Sequence, residues 1–133
     1  METVILISGS RDIDDYKLIS DSLKIWLQPV TNPSFVLGGA RGVDSLALKY
    51  AEENKIPYKI FKANWNLYGK RAGMVRNGEM FRYAPNKRHI LIAFSKNKSA
   101  GTQNMINRAE EKGWRKAFEK QLTDEIVGIV YEE

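Results

Sequence analysis

Residues 35–51 read FVLGGARGVDSLALKYA, and this stretch decides the fold. Phe35, Val36 and Leu37 are a short continuous apolar run, the mark of a strand buried on both faces. Val43, Leu46, Ala47, Tyr50 and Ala51 then recur at i, i+3, i+4, i+7 and i+8, the stripe of an amphipathic helix. The chain therefore passes from strand to helix through Gly38-Gly39-Ala40-Arg41-Gly42. A loop that only reversed direction would need one glycine. Three, with Arg41 among them, point to a close approach to the backbone, because glycine has no Cβ and tolerates positive φ.

The same unit recurs on both sides. Residues 3–7 (TVILI) read as a buried strand ending in Ser8-Gly9-Ser10-Arg11. A helix follows from about residue 15, with Tyr16, Ile19, Leu23 and Trp26 on one face; Asp14 or Asp15 caps it, and Pro29 and Pro33 mark its end. Residues 34–37 form the second strand and 43–54 the second helix. Residues 58–61 are a third strand, 69–83 a third helix or helical pair, 89–94 (HILIAF) a fourth strand, and 99–112 a fourth helix. Residues 114–118 fit either a short strand or the start of a helix, and 126–131 (IVGIVY) a closing strand. Four strand–helix alternations predict a mainly parallel sheet of about five strands, covered on both faces and joined by right-handed crossovers. The expectation is one Rossmann-like, three-layer α/β domain over residues 1–133, with 114–133 as a C-terminal extension.

Composition narrows the function. With 43% hydrophobic and 28% charged residues, the 133-residue chain is ordinary globular material. It has no cysteine and a single histidine, His89, so neither a disulfide framework nor a thiolate or histidine-cluster metal site is available. The first ten residues hold an apolar run of only four, too short for a signal peptide or a membrane span, which makes a cytoplasmic protein the expectation. A net charge of +5, from 21 Lys and Arg against 16 Asp and Glu, suits solubility and anionic partners alike.

In open parallel sheets ligands bind beyond the carboxyl ends of the strands, where strand order reverses. The loops after the first strand (Gly9, Ser10, Arg11), the second (Gly38, Gly39, Arg41, Gly42, Asp44) and the fourth (95–102) should therefore share one rim. Glycine lets backbone N–H groups converge on an anion, and a helix N-terminus adds unpaired donors with partial positive charge. Gly101 and Thr102, at the start of the fourth helix, suit a phosphate. Arg11 and Arg41 supply planar, bidentate donors. Taken singly, each feature has a plainer reading: turn geometry for Gly38-Gly39, solvation for Arg11, a helix cap for Asp44. Their coincidence at three strand ends is the signal. Neither a dinucleotide fingerprint nor a P-loop is present.

Between residues 62 and 83, Lys62, Lys70, Arg71, Arg76 and Arg82 alternate with Trp65, Tyr68, Phe81 and Tyr83. This fits base stacking with phosphate contact, or core aromatics beneath a cationic coat. Asn64 either presents its amide to a base or ribose edge or caps the next segment. Lys96 and Lys98 either close over a polyanion or stay in solvent. His89 reads as a packed histidine.

Taken in order, several segments resemble the YspA-like (cpYpsA-related) branch of the SLOG superfamily. They are Gly9-Ser10-Arg11-Asp12, residues 38–44 with Ala47, Ala63-Asn64-Trp65, Gly69-Lys70-Arg71-Ala72-Gly73, Arg76-Asn77 with Met80, and Gly101-Thr102. The resemblance runs from about residue 4 to 113 and implies a Rossmann-like domain binding nucleotides or nucleotide-derived ligands at the strand rim, often as a homo-oligomer. Relatives include the DNA-processing protein DprA and the "lonely guy" phosphoribohydrolases. An Arg-Lys-x-x-Met segment of those hydrolases is matched by Arg76-Asn77-Gly78-Glu79-Met80, which adds Arg76 and Asn77 to the ligand-binding candidates. Their Pro-Gly-Gly-x-Gly-Thr-x-x-Glu loop is matched only at Gly101-Thr102, and Met105 stands where they place the catalytic glutamate. Methionine can neither move a proton nor stabilise a positive ribose. Catalysis of that kind would fall to Asp44, Glu79 or Arg76 in a different geometry. Three readings stand: a module binding a small nucleotide-like ligand, an N-glycosidic hydrolase, and a nucleic-acid binder. No cofactor is indicated.

Overall fold

The computed structural model describes residues 2–133; Met1 lies outside the described residues. The elements run β1 (Thr3–Gly9), α1 (Tyr16–Trp26), β2 (Pro33–Leu37), α2 (Val43–Glu53), β3 (Tyr58–Ile60), α3 (Trp65–Tyr68), a 3-10 turn (Gly69–Arg71), α4 (Ala72–Arg82), β4 (Arg88–Lys96), α5 (Ala100–Glu111), β5 (Arg115–Gln121) and β6 (Ile126–Glu132). Asp15 is the N-cap of α1 and accepts from the Leu18 N–H at 3.1 Å. Residues 69–83, expected as a third helix or helical pair, form the 3-10 turn and α4, while the short α3 precedes that range and ends at Gly69, whose φ is 57°.

The sheet order is β3-β2-β1-β4-β6-β5. Strands β3, β2, β1 and β4 pair in parallel, whereas β6 runs antiparallel to both β4 and β5. The sheet thus has six strands where about five were expected, and one of them opposes the rest. The difference lies in β5, whose sequence RKAFEKQ has no clean apolar alternation. It is an edge strand paired on one side only, so its residues stay largely exposed. Charged edges of this kind resist pairing with other chains.

Alternation along the central strands builds two cores. Ile5, Ile7, Phe35, Leu37, Ile90, Ile92 and Phe94 face α1 and α2. Val4, Leu6, Val36, Leu91 and Ala93 face the side of α4 and α5, which contribute Met80, Phe81, Met105, Ile106 and Ala109. Because β1 and β4 are buried on both faces, they read as continuous apolar runs. No helix among the described residues is long and apolar enough to cross a membrane.

The C-terminal hairpin is tied to this body by Trp26. Its ring stacks on Phe94 at 5.5 Å and meets Phe118 edge-on at 5.3 Å. The ring also covers Gly128, the one residue of β6 with no side chain, where an added Cβ would collide with the indole and lie 3.2 Å from Leu122 Cδ1. A glycine inside a strand ordinarily weakens it; here it makes room for a tryptophan. Gly128→Ala should therefore cost about 1–3 kcal/mol through overpacking, read as a lower midpoint in urea. An unchanged midpoint would show that the hairpin shifts freely away from Trp26.

Candidate functional site

From β1 the chain winds to β2 and β3 on one side and then crosses to β4 on the other. The topological switch point therefore lies between β1 and β4. At its carboxyl end a cleft of about 520 Å³ opens between the loops after β1, β2 and β4 and the start of α5. That volume is within the ~300–1,000 Å³ usual for small-molecule sites.

Ser10 ties the rim together. Its backbone N–H donates to the Phe94 carbonyl at 3.1 Å, and its carbonyl accepts from the Ile13 and Val43 N–H groups at 3.4 Å. Its hydroxyl donates to the Lys96 carbonyl at 3.0 Å and accepts from the Lys96 N–H at 2.8 Å. The residue is buried, and it brings three loops to one place.

Gly9, Arg11, Arg41, Asp44, Arg76, Asn77, Gly101 and Thr102, all singled out by sequence, line the cleft. Gly38 and Gly39 line a smaller adjoining chamber instead, together with Arg11 and Arg76. Asn64 faces neither cavity: its side chain caps α3 by accepting from the Leu67 N–H at 3.0 Å. Glu79 is exposed on α4 and does not line the cleft. His89 is buried at the far end of β4, with ring nitrogens 2.8 Å from the Lys87 carbonyl and 2.7 Å from that of Tyr83. Ser8, Asp12, Ala40, Asn97, Ser99 and Ala100 complete the lining with Lys96. These were named only as members of rim loops or passed over, because no single one has a distinctive chemistry.

The glycines answer differently from the expectation that a ligand needs the space beside each of them. A Cβ on Gly38 would lie 2.8 Å from Arg76 Nη1 and 3.0 Å from Asp44 Oδ2. One on Gly42, whose φ is 78°, would lie 2.5 Å from the Ser10 carbonyl oxygen. One on Gly9 would collide with Val43. At these positions the missing side chain admits the protein's own atoms. Gly101 is the exception: it lines the cleft, and a Cβ there would meet nothing within 4 Å.

Charge in the cleft is mainly positive, with Arg11, Arg41, Arg76 and Lys96 against Asp12 and Asp44. Arg11 and Arg41 are exposed, and neither has an ion-pair partner among the described residues. Arg76 is half-buried and held from two sides. Its Nη1 donates to the Gly38 carbonyl, and its Nε donates to Asn77 Oδ1 at 3.0 Å. Asn77 in turn donates to Asn104 Oδ1 at 3.1 Å, linking α4 to α5. Asp44 Oδ2 accepts from the Ala40 N–H at 3.0 Å, so this carboxylate closes its own loop rather than capping the first turn of α2. Asp44 is 8% exposed, and burial pushes its carboxyl up from the ordinary range to about 6, against the pull of the Ala40 N–H, Arg76 and Arg11. Burial likewise lowers the pKa of Arg76, with Asp44 opposing the shift.

At the start of α5, Ser99 is the N-cap without a side-chain cap bond to the helix backbone; its hydroxyl donates to Thr102 Oγ1 at 2.8 Å. The first-turn N–H groups of a helix have no intrahelical acceptor, so this end carries free donors and partial positive charge. Met105, one turn further on, is 1% exposed and packs in the core. It is outside the cleft lining.

Two outcomes follow from this geometry. Ser10→Ala leaves the Lys96 N–H without its acceptor and should destabilise the fold by about 1–3 kcal/mol; a variant as stable as the parent in urea would show that the rim does not depend on the hydroxyl. The folded state favours protonated Asp44. Its stabilising effect is fully present below pH ~4 and is lost as pH rises through about 6. Between those values the parent should lose roughly 2–3 kcal/mol relative to Asp44→Asn, which keeps an acceptor for the Ala40 N–H but does not titrate. Parallel stability–pH curves for the two proteins would overturn the assignment.

Comparison with known proteins agrees with the fold. The pattern of the YspA, cpYpsA-related SLOG family (YAcAr) matches residues 3–68, from β1 through α3. The Gene 61 protein of Mycobacterium phage D29 is 32% identical over 115 residues, covering 82% of this chain and 90% of that protein. No solved structure matches the chain. The motif loops at the rim, the α/β topology and these two likenesses coincide, and the chain belongs to the YspA, cpYpsA-related SLOG family.

Proposed function

We propose that this protein binds a nucleotide or nucleotide-derived ligand, with a phosphate against the first turn of α5 and Arg11 and Arg41 closing over it. The observation that carries the reading is Gly101. It lines the cleft in the first turn of α5, where a Cβ would meet nothing within 4 Å, and Arg11, Arg41 and Lys96 share the same lining. Family membership supports a nucleotide-related ligand. Convergent donors and unpaired guanidinium groups in one concave site are what a phosphate ester requires. Asp12 and Asp44 leave room for selection, since a carboxylate accepts hydrogen bonds from ribose hydroxyls or a base amino group.

A second reading, hydrolysis of an N-glycosidic bond, is favoured by one observation: the carboxyl of Asp44, raised to about 6, sits in the cleft lining. A carboxyl with that pKa exchanges protons near neutrality, as a general acid or base must. The distinction is one of outcome at the same site.

The test is thermal stabilisation by mononucleotides, NAD, ADP-ribose and short oligonucleotides, with each positive mixture then resolved by chromatography. A small nucleotide-like ligand recovered intact, with no further gain from longer oligonucleotides, is the expected result. Arg41→Ala should weaken its binding about tenfold or more. Gly101→Ala should weaken binding too, yet leave the melting temperature of the free protein no lower, because alanine is the better helix residue by roughly 0.5–1 kcal/mol. Recovery of free base, abolished in Asp44→Asn, would establish the hydrolase instead. Stabilisation by oligonucleotides alone, growing with length and falling steeply with salt, would establish nucleic acid as the partner.

A further inference from the structure

The cleft has a side chamber of about 310 Å³, and Arg11, Ala40 and Arg76 line both spaces. Gly39, Lys62 and Trp65 form much of its remaining wall. Its lining holds three cationic side chains, Arg11, Lys62 and Arg76, and no carboxylate. Arg11 and Arg76 thus place positive charge on the boundary between the two spaces.

Trp65 is the unusual member of the wall. The protein's other tryptophans are packed on aromatic rings: Trp26 on Phe94 and Phe118, Trp114 on Phe81 at 5.0 Å. Trp65 is 52% exposed and has no aromatic partner among the described residues. Phe81, from the same basic–aromatic stretch, is 4% exposed and belongs to the core. The stretch thus divides into Phe81 and Tyr83, packed at the core, and the exposed rings of Trp65 and Tyr68, of which Trp65 shares its chamber with Lys62. Leu67, Tyr68 and Met74 are exposed nearby in sequence but line neither space, so of these exposed side chains Trp65 alone is joined to the cleft by geometry.

We infer that the ligand is a dinucleotide: one nucleotide unit fills the main cleft, the linking phosphate lies between Arg11 and Arg76, and the second base stacks on Trp65. This rests on the nucleotide reading of the cleft and extends it. Of the three residues shared by both spaces, two carry guanidinium groups: Arg11 has no ion-pair partner among the described residues, and Arg76 keeps Nη2 outside its hydrogen bonds to Gly38 and Asn77. An exposed indole flanked by a lysine is a platform that accepts any base, since every base has a π-face.

The experiment is calorimetric titration of the full chain with 5′-AMP, 5′-phosphorylated diadenylate and a longer oligoadenylate. The dinucleotide should bind roughly 5- to 150-fold more tightly than AMP, the range that one stacked base supplies. Trp65→Ala should bring that ratio close to one, and Trp65→Phe, which keeps a ring, should restore most of it. Equal affinities for AMP and the dinucleotide in the parent overturn the side chamber while leaving the mononucleotide site standing. A ratio that survives Trp65→Ala does the same for the stacking role. Affinity that continues to climb in the longer oligoadenylate overturns the dinucleotide in favour of a strand. Binding of none of the three overturns this inference and the nucleotide reading together.

Discussion

One serine hydroxyl holds the site in shape. Ser10 Oγ receives the Lys96 N–H and returns a hydrogen bond to the Lys96 carbonyl, while the Ser10 backbone reaches Phe94, Ile13 and Val43. At the switch point β1 and β4 part company, and each would otherwise leave buried backbone groups without partners. The serine satisfies them and, in doing so, brings the loops after β1, β2 and β4 within reach of one ligand-sized space. The close packing at Gly9 and Gly42 depends on the same knot, because the atoms that a side chain there would strike belong to Ser10, Arg11, Val43 and Phe94.

Electrostatics in the cleft follows from how unequally its charges are buried. Asp44 and Arg76 are withdrawn from water and held by backbone groups, the first by the Ala40 N–H and the second by the Gly38 carbonyl. Arg11 and Arg41 stay at the surface with no ion-pair partner among the described residues. Buried charges are costly unless paired or hydrogen-bonded, whereas exposed guanidinium groups are solvated at little cost and free to meet an anion. The inner pair therefore fixes the shape of the rim, and the outer pair provides capacity for a ligand.

Much of this was legible in the sequence, and the misses have physical causes. The central strands declared themselves because burial on both faces demands unbroken apolar runs. Strand β5 did not, because an edge strand with one partner can carry Arg115, Lys116, Glu119 and Lys120 without penalty. The rim loops were placed correctly by topology, yet the glycines within them were not separable by sequence. Gly38, Gly42 and Gly101 look alike in one dimension, while their neighbours are Arg76, Ser10 and open space respectively. Ser10, grouped with ligand-binding residues by its motif, has its hydroxyl committed to Lys96.

The sequence by itself determined the four strand–helix alternations, the α/β class and the cationic character of the loops that follow the strands. These depend on periodicity and on residue chemistry, both of which are local. Only the tertiary structure decided which of those residues face one another. It inserted β6 between β4 and β5, exposed Trp65 while burying Phe81, and set Asp44 against Arg76 across Gly38. Such outcomes turn on contacts between residues distant in the chain, and their geometry exists only once the sheet has closed the distance.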